Sequence, residues 1–320
     1  MSWCAVPARF AAAIAAFAVA TASAGCRTDA PAARPVTVWA AASLTRPVRA
    51  ALDTFTARTG RPARLETAAS LELVRRITEL GEAPDLLLLA DEALFPTLLV
   101  PRHVATYTRF ARNRLVVAYR PASSGAAEFA RAERWWEVLE RPGVEVGRAS
   151  PATDPSGYRT LLAFQLAERH YQVAGLARRL LAAAPERNVR PREADQIALL
   201  EAGQLDYVWT YESLARQAGL PYRTLPTDVD LGTAADSAAY ATAAVRVPGR
   251  TPRDSVTLRG APVSYALAVP RAAGDPAGGA ALARFLTSAE GRRVLRAFAL
   301  DALDSAVAVS SARTSTTSTR

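Results

Sequence analysis

Two short passages early in this chain turn from extended to helical character over the same kind of corner. The first is Val36-Thr37-Val38-Trp39-Ala40-Ala41-Ala42-Ser43-Leu44-Thr45, and the second is Thr67-Ala68-Ala69-Ser70-Leu71-Glu72. Each sets a serine among small residues where a helix begins. Apolar residues follow at Val48, Leu52 and Phe55 in one and at Leu71, Val74 and Ile77 in the other, the spacing of a helix with one buried face. A helix that starts on small residues leaves its first N–H groups and the positive end of its dipole open, and the serine adds a hydroxyl donor. Two such starts facing one another form a cradle for a small anion. The alternative is that each serine only caps its helix.

Composition removes several classes of chemistry. The only cysteines are Cys4 and Cys26 and the only histidines are His103 and His170. A Cys-ligated or His-based zinc site and a serine–histidine triad are therefore poorly supported. The net charge of +9 comes wholly from arginine, since the chain has no lysine. The arginines are dispersed and do not interleave with aromatics, so nucleic acid is not an expected partner. Residues 1–25 read as an export signal: Arg9, then an apolar run from Phe10 to Ala22, too short for a membrane span, then small residues before Cys26. Cys26 is expected to be lipidated, giving an exported, periplasmic or cell-surface protein. A cleavable signal with an incidental cysteine is the other reading, since Ser23 stands where a lipobox has Leu.

Residues 26–35 suit a tether, and 306–320 a disordered, Ser/Thr-rich tail. The intervening body of about 270 residues exceeds one compact lobe. Apolar runs at 36–40, 86–90, 115–119, 207–211 and 265–269 read as strands, and helical periodicity covers 47–58, 71–80, 157–171 and 280–298. The alternation indicates an α/β protein with largely parallel sheets. Residues 36–118 and 229–305 are expected to build one lobe and 119–228 a second, with ligand between them at strand C-terminal ends.

Two further patterns carry charge into a turn. Ser150-Pro151-Ala152-Thr153-Asp154-Pro155-Ser156-Gly157-Tyr158-Arg159 opens a helix, and Asp before Pro is by itself a helix start. Leu200-Glu201-Ala202-Gly203 ends a helix before the apolar run Tyr207-Val208-Trp209-Thr210-Tyr211; there Glu201 reads equally as an exposed carboxylate of a last turn. With these come Ala83-Pro84-Asp85, Leu89-Ala90-Asp91 and Phe110-Ala111-Arg112-Asn113.

In this order and spacing, over roughly residues 36–298, the motifs resemble the tungstate/molybdate-binding lipoproteins of ABC importers, especially the archaeal type. The resemblance implies a two-lobed, type II periplasmic-binding-protein fold, each lobe a mixed, mostly parallel sheet flanked by helices, closing on a tetrahedral oxyanion. It implies Ser43 and Ser70 as donors to the anion with Tyr211 nearby, and Asp154 and Glu201 as carboxylates approaching the central Mo or W. It also implies an ABC permease and ATPase as partners, no cofactor and no catalysis. Arg159 is expected in a structural salt bridge, Asp91 in support of the fold or hinge, and Trp135-Trp136 in packing.

Carboxylates beside a dianion need a physical reason, because at about 4 Å and an effective dielectric near 20 each pair of unit charges repels by about 4 kcal/mol. They bond to the metal centre, expanding its coordination, or one stays protonated and donates a hydrogen bond. Direct bonding distinguishes this ligand from sulfate or phosphate, the alternative oxyanions, whose small central atoms do not easily expand their coordination. An exported enzyme acting on an anionic substrate is a third reading, against which the scarcity of histidine and the lack of a nucleophile motif both count.

Overall fold

The computed structural model describes residues 34–248 and 254–310, so the expected signal, most of the tether, Cys26 and residues 311–320 lie outside the described residues. Along the chain run β1 (Val36–Ala41), β2 (Ala63–Ala68), β3 (Leu86–Leu89), β4 (Thr106–Arg112), β5 (Leu115–Tyr119), β6 (Val146–Ala149), β7 (Val189–Arg190), β8 (Tyr207–Tyr211), β9 (Tyr222–Thr224), β10 (Ala244–Pro248), β11 (Ser255–Arg259), β12 (Ser264–Ala268) and β13 (Asp301–Ser310). They form a six-stranded sheet ordered β13-β4-β12-β3-β1-β2, a five-stranded sheet ordered β7-β6-β8-β5-β9, and the hairpin β10-β11.

Both large sheets are mixed. In the first, β1 pairs in parallel with β2 and β3, while β12 pairs antiparallel with β3 and β4, and β13 with β4. In the second, β6 pairs in parallel with β7 and β8, and β5 pairs antiparallel with β8 and β9. Parallel pairing thus prevails where strand-to-helix switches follow one another, and antiparallel pairing enters through the strands that carry the chain between sheets. The chain leaves the first sheet after Arg112, enters the second at Leu115, and leaves the second after Thr224. The two passages are stitched together by Leu115 N–H to Asp230 O (2.8 Å), Val263 N–H to Leu231 O (2.7 Å) and Asn113 N–H to Val263 O (3.2 Å).

Local sequence explains the elements that frame the site. The helix Thr45–Thr59 buries Val48, Ala51, Leu52 and Phe55 and stops at Gly60, whose φ of 68° suits glycine in the left-handed region. The helix Ser70–Glu79 buries Leu71, Leu73, Val74 and Ile77. Asp154 caps the helix Pro155–Tyr171, with Pro155 in its first turn.

Two expectations are corrected. The helix predicted over 280–298 is two helices, Pro276–Thr287 and Ala289–Ala297, broken at the extended Ser288, whose hydroxyl caps the second by accepting Gly291 N–H at 3.1 Å. A polar cap inside a long apolar pattern outweighs periodicity. Residues 306–310, expected in a disordered tail, continue β13 against β4, with Val309 opposite Tyr107 and Ser310 opposite Thr106. The alternation of Ala and Val there supplies a strand face.

Gly157 fixes how closely the capped helix meets the end of β6. A Cβ at this position would lie 2.4 Å from the Ser150 carbonyl carbon and 2.6 Å from the Ala149 carbonyl oxygen, both backbone atoms that cannot swing aside. Gly157→Ala is expected to destabilise the fold by about 1–3 kcal/mol in urea denaturation; an unchanged midpoint would show that the helix has room to retreat.

Candidate functional site

Four of the expected site residues meet at the facing ends of the two sheets, where they are nearly fully buried: Ser43, Ser70, Asp154 and Tyr211. Ser43 lies in the short 3-10 turn Ala42–Leu44 that directly follows β1, and its Oγ is 3.4 Å from the Tyr265 hydroxyl on β12. Ser70 is the first residue of its helix, and its Oγ accepts Ala90 N–H at 3.1 Å from the end of β3. That leaves the Ser70 proton to be donated. The neighbouring Leu71 N–H already donates to Thr153 O (3.0 Å) across the gap between sheets. The open helix start expected here is therefore partly used by protein.

The second sheet supplies a carboxyl pair. Asp154 spends both oxygens on backbone amides: Oδ1 accepts Ser156 N–H at 2.9 Å and Oδ2 accepts Glu193 N–H at 3.1 Å. Glu193 begins the helix Glu193–Glu201. Its Oε1 accepts from the Thr210 hydroxyl (2.6 Å) and from Tyr211 N–H, whereas Oε2 is buried with no hydrogen-bond partner among the described residues. Burial pushes the Asp154 carboxyl up to about 6. Burial, together with the charge of Asp154, pushes Glu193 up to about 8. Removal from water disfavours the ionised form, and a like charge next door disfavours it again.

Glu201 is not part of this cluster. It is exposed, at the far end of the same helix, roughly 12 Å along the axis from Glu193 at the usual rise per residue. Its sequence context gave it a place next to β8, but a helix that enters the site with its N-terminus points its last turn outward. Glu193 is the carboxyl that the sequence reading missed. The available signal was its position at a helix start behind Pro191, the end that faces an anion; its partner strand only the fold reveals. Tyr265 was missed likewise.

Arg159 lies behind these groups. Its guanidinium donates to Ala90 O (2.7 Å) and the Tyr211 hydroxyl (2.7 Å), and pairs with Asp91 at 2.9 Å, with both charged side chains almost wholly buried. Tyr158 also donates its hydroxyl to Asp91. Burial opposes the Arg159 charge, but Asp91 and the two phenols outweigh it and hold the group firmly protonated. Trp135 and Trp136 pack in the second lobe against Tyr171, away from the cluster. Among the described residues no group of three or more His, Cys, Asp or Glu converges as in a cation site. The arrangement is suited to a small anion: hydroxyl donors from one sheet, and a protonatable pair with one free carboxyl oxygen from the other.

Two lobes that meet over a buried polar cluster, each built on a mixed sheet, define a solute-binding fold of the periplasmic type. The chain belongs to the bacterial extracellular solute-binding protein family, whose pattern matches residues 36–299. It is 39% identical over 230 residues to a solute-binding protein of Petrotoga mobilis, covering 72% of this chain and 71% of that one. It is 29% identical over 251 residues to the molybdate/tungstate-binding protein of Pyrococcus abyssi, covering 72% of each. Its fold is similar to that of the periplasmic molybdate-binding protein of Azotobacter vinelandii, with a TM-score of 0.60 at 12% identity over 83% of this chain and 98% of that one.

Asp154 and Glu193 both titrate higher in the folded chain than in the unfolded one, where they lie at 3.8 and 4.5. The folded state therefore holds more protons between those values and about 8, and its stability falls as pH rises through that window. Melting without added anion is expected to drop from about pH 5 to about pH 8, and Glu193→Gln to flatten the slope. A melting temperature that is level or rising across this range would exclude the pair as its source.

Proposed function

We propose that this chain captures molybdate or tungstate outside the cytoplasm and passes it to the permease and ATPase of an ABC importer, without catalysis. In this reading Ser43, Ser70 and Tyr211 donate to the oxygens of the anion. Asp154 and Glu193 face its central atom, with Glu193 in the place expected for Glu201. Residues 1–25 serve as export signal and Cys26 as lipid attachment, so the body is tethered at the membrane surface where the importer opens. The regions 36–118 with 229–305 and 119–228 act as the two lobes that close on the ligand.

The observation that carries the reading is the buried Asp154–Glu193 pair beside hydroxyl donors, with Glu193 Oε2 uncommitted. A site for sulfate or phosphate gains nothing from two carboxyls, because repulsion of about 4 kcal/mol per charge pair is not repaid at a small central atom that resists further coordination. Molybdenum and tungsten accept additional oxygen ligands, so the free carboxylate oxygen becomes a bond instead of a penalty. A carboxyl kept protonated removes the repulsion by donating to an oxyanion oxygen, and the selectivity then rests on the other carboxylate. The name of the Pyrococcus abyssi relative supports the ligand class.

Isothermal titration of the purified chain with tungstate, molybdate, sulfate and phosphate tests the proposal. Tungstate and molybdate are expected to bind one to one, and sulfate and phosphate to bind at least about a hundredfold more weakly, a gap of about 2.8 kcal/mol. Glu193→Gln is expected to cost tungstate at least about tenfold and to narrow the gap to sulfate, while Glu201→Gln stays within about twofold. No heat with tungstate or molybdate, or unchanged selectivity in Glu193→Gln, would refute the assignment.

A further inference from the structure

The ion pair behind the site joins groups from both sheets. Asp91 follows β3 of the first sheet, and Arg159 lies on the helix Pro155–Tyr171, which packs on the second. The same guanidinium reaches Ala90 O, and Ala90 is the residue whose N–H holds Ser70 Oγ. Its other contact is the hydroxyl of Tyr211, whose backbone N–H holds Glu193 Oε1. One planar fork is thus bonded, at one remove, to the anion donor of the first lobe and to the free carboxyl of the second. Asp91 is itself fixed by Ala93 N–H at 2.9 Å and by the Tyr158 hydroxyl, so the pair has little freedom to re-form elsewhere.

We propose that Arg159 and Asp91 are positioning residues forming a latch between the lobes, which sets the spacing between Ser70 and Glu193 and governs release of the bound oxyanion. This rests on the proposed function for the identity of the ligand. Arg159 does not serve as the anion's counter-charge, because Asp91 neutralises it and its Nη1 is committed to Ala90 and Tyr211. A buried pair of this kind is costly to break singly, since the survivor is left charged and unpaired. Lysine cannot replace arginine here, having no planar fork to hold a carboxylate, a carbonyl and a phenol at once. The latch therefore forms when both lobes are in register, as they are here, and opening it precedes departure of the ligand.

The test uses two readouts on Asp91→Asn, with Asp91→Ala/Arg159→Met as a second variant that removes both charges of the pair and so leaves neither member buried without its partner. The first readout is the distance between spin labels on Leu80→Cys and Leu181→Cys, positions 66% and 42% exposed, in a chain with Cys4→Ser and Cys26→Ser, measured without oxyanion. Both variants are expected to shift the distribution to longer distances. The second is stopped-flow binding of sodium tungstate. The off-rate is expected to rise at least about tenfold, the on-rate to stay within about threefold, and the ratio of tungstate to sulfate affinity to hold. That last result separates positioning from ligation. Unchanged distances, an off-rate within about twofold of the parent, or lost selectivity overturns the latch. The distance measurement decides the latch even in a chain that ignores tungstate, whereas that silence counts against the ligand reading alone.

Discussion

Keeping two carboxyl groups out of water, side by side, is the constraint around which the rest of the cluster is arranged. Asp154 is made tolerable by two backbone amides, one from its own helix and one from the start of the helix Glu193–Glu201. Glu193 is made tolerable by Thr210 and Tyr211 at the end of β8. Each partner is a backbone or strand-end group whose place depends on the sheet. Gly157 lets the capped helix pack directly on the backbone at the end of β6, and β6 pairs in parallel with β8, whose last residue, Tyr211, donates its N–H to Glu193. The pair is therefore a product of the fold's geometry more than of local sequence.

The first sheet answers with neutral donors. Ser43 and Ser70 both follow strands of the parallel group and sit at its carboxyl edge, where small residues let the backbone come close. Asn113, at the passage between sheets, donates to the hydroxyls of both Ser213 (2.7 Å) and Tyr265 (3.0 Å), and Tyr265 in turn touches Ser43. Hinge and site are thus joined by three buried side chains.

Much of this was legible before the fold was known. The strands at β5 and β8 coincide with their apolar runs because a buried strand announces itself by composition over a few residues. The serine corners were readable because strand, small residue and amphipathic helix follow one another without interruption. Glu193 was not, because its function comes from the contact with β8, and locally only its place at a helix start behind Pro191 separates it from Glu201 on the same helix. The break at Ser288 was hidden for a different reason: apolar periodicity runs on through a cap that only its hydrogen bond identifies. Strands such as β4 and β13, which pair antiparallel at the edge of the first sheet, lack the long apolar runs of buried parallel strands and escaped notice for that reason.

The two acids at the centre are unequal partners. Asp154, with both oxygens held by the backbone, is part of the scaffold as much as of the site; it caps a helix whether or not anything is bound. Glu193 keeps one oxygen uncommitted. A lineage drifting toward another oxyanion has an easier position to alter in Glu193 than in Asp154, because only the aspartate side chain also caps a helix. Changes of specificity in chains built this way should therefore accumulate at the glutamate, and the aspartate should outlast the ligand it serves.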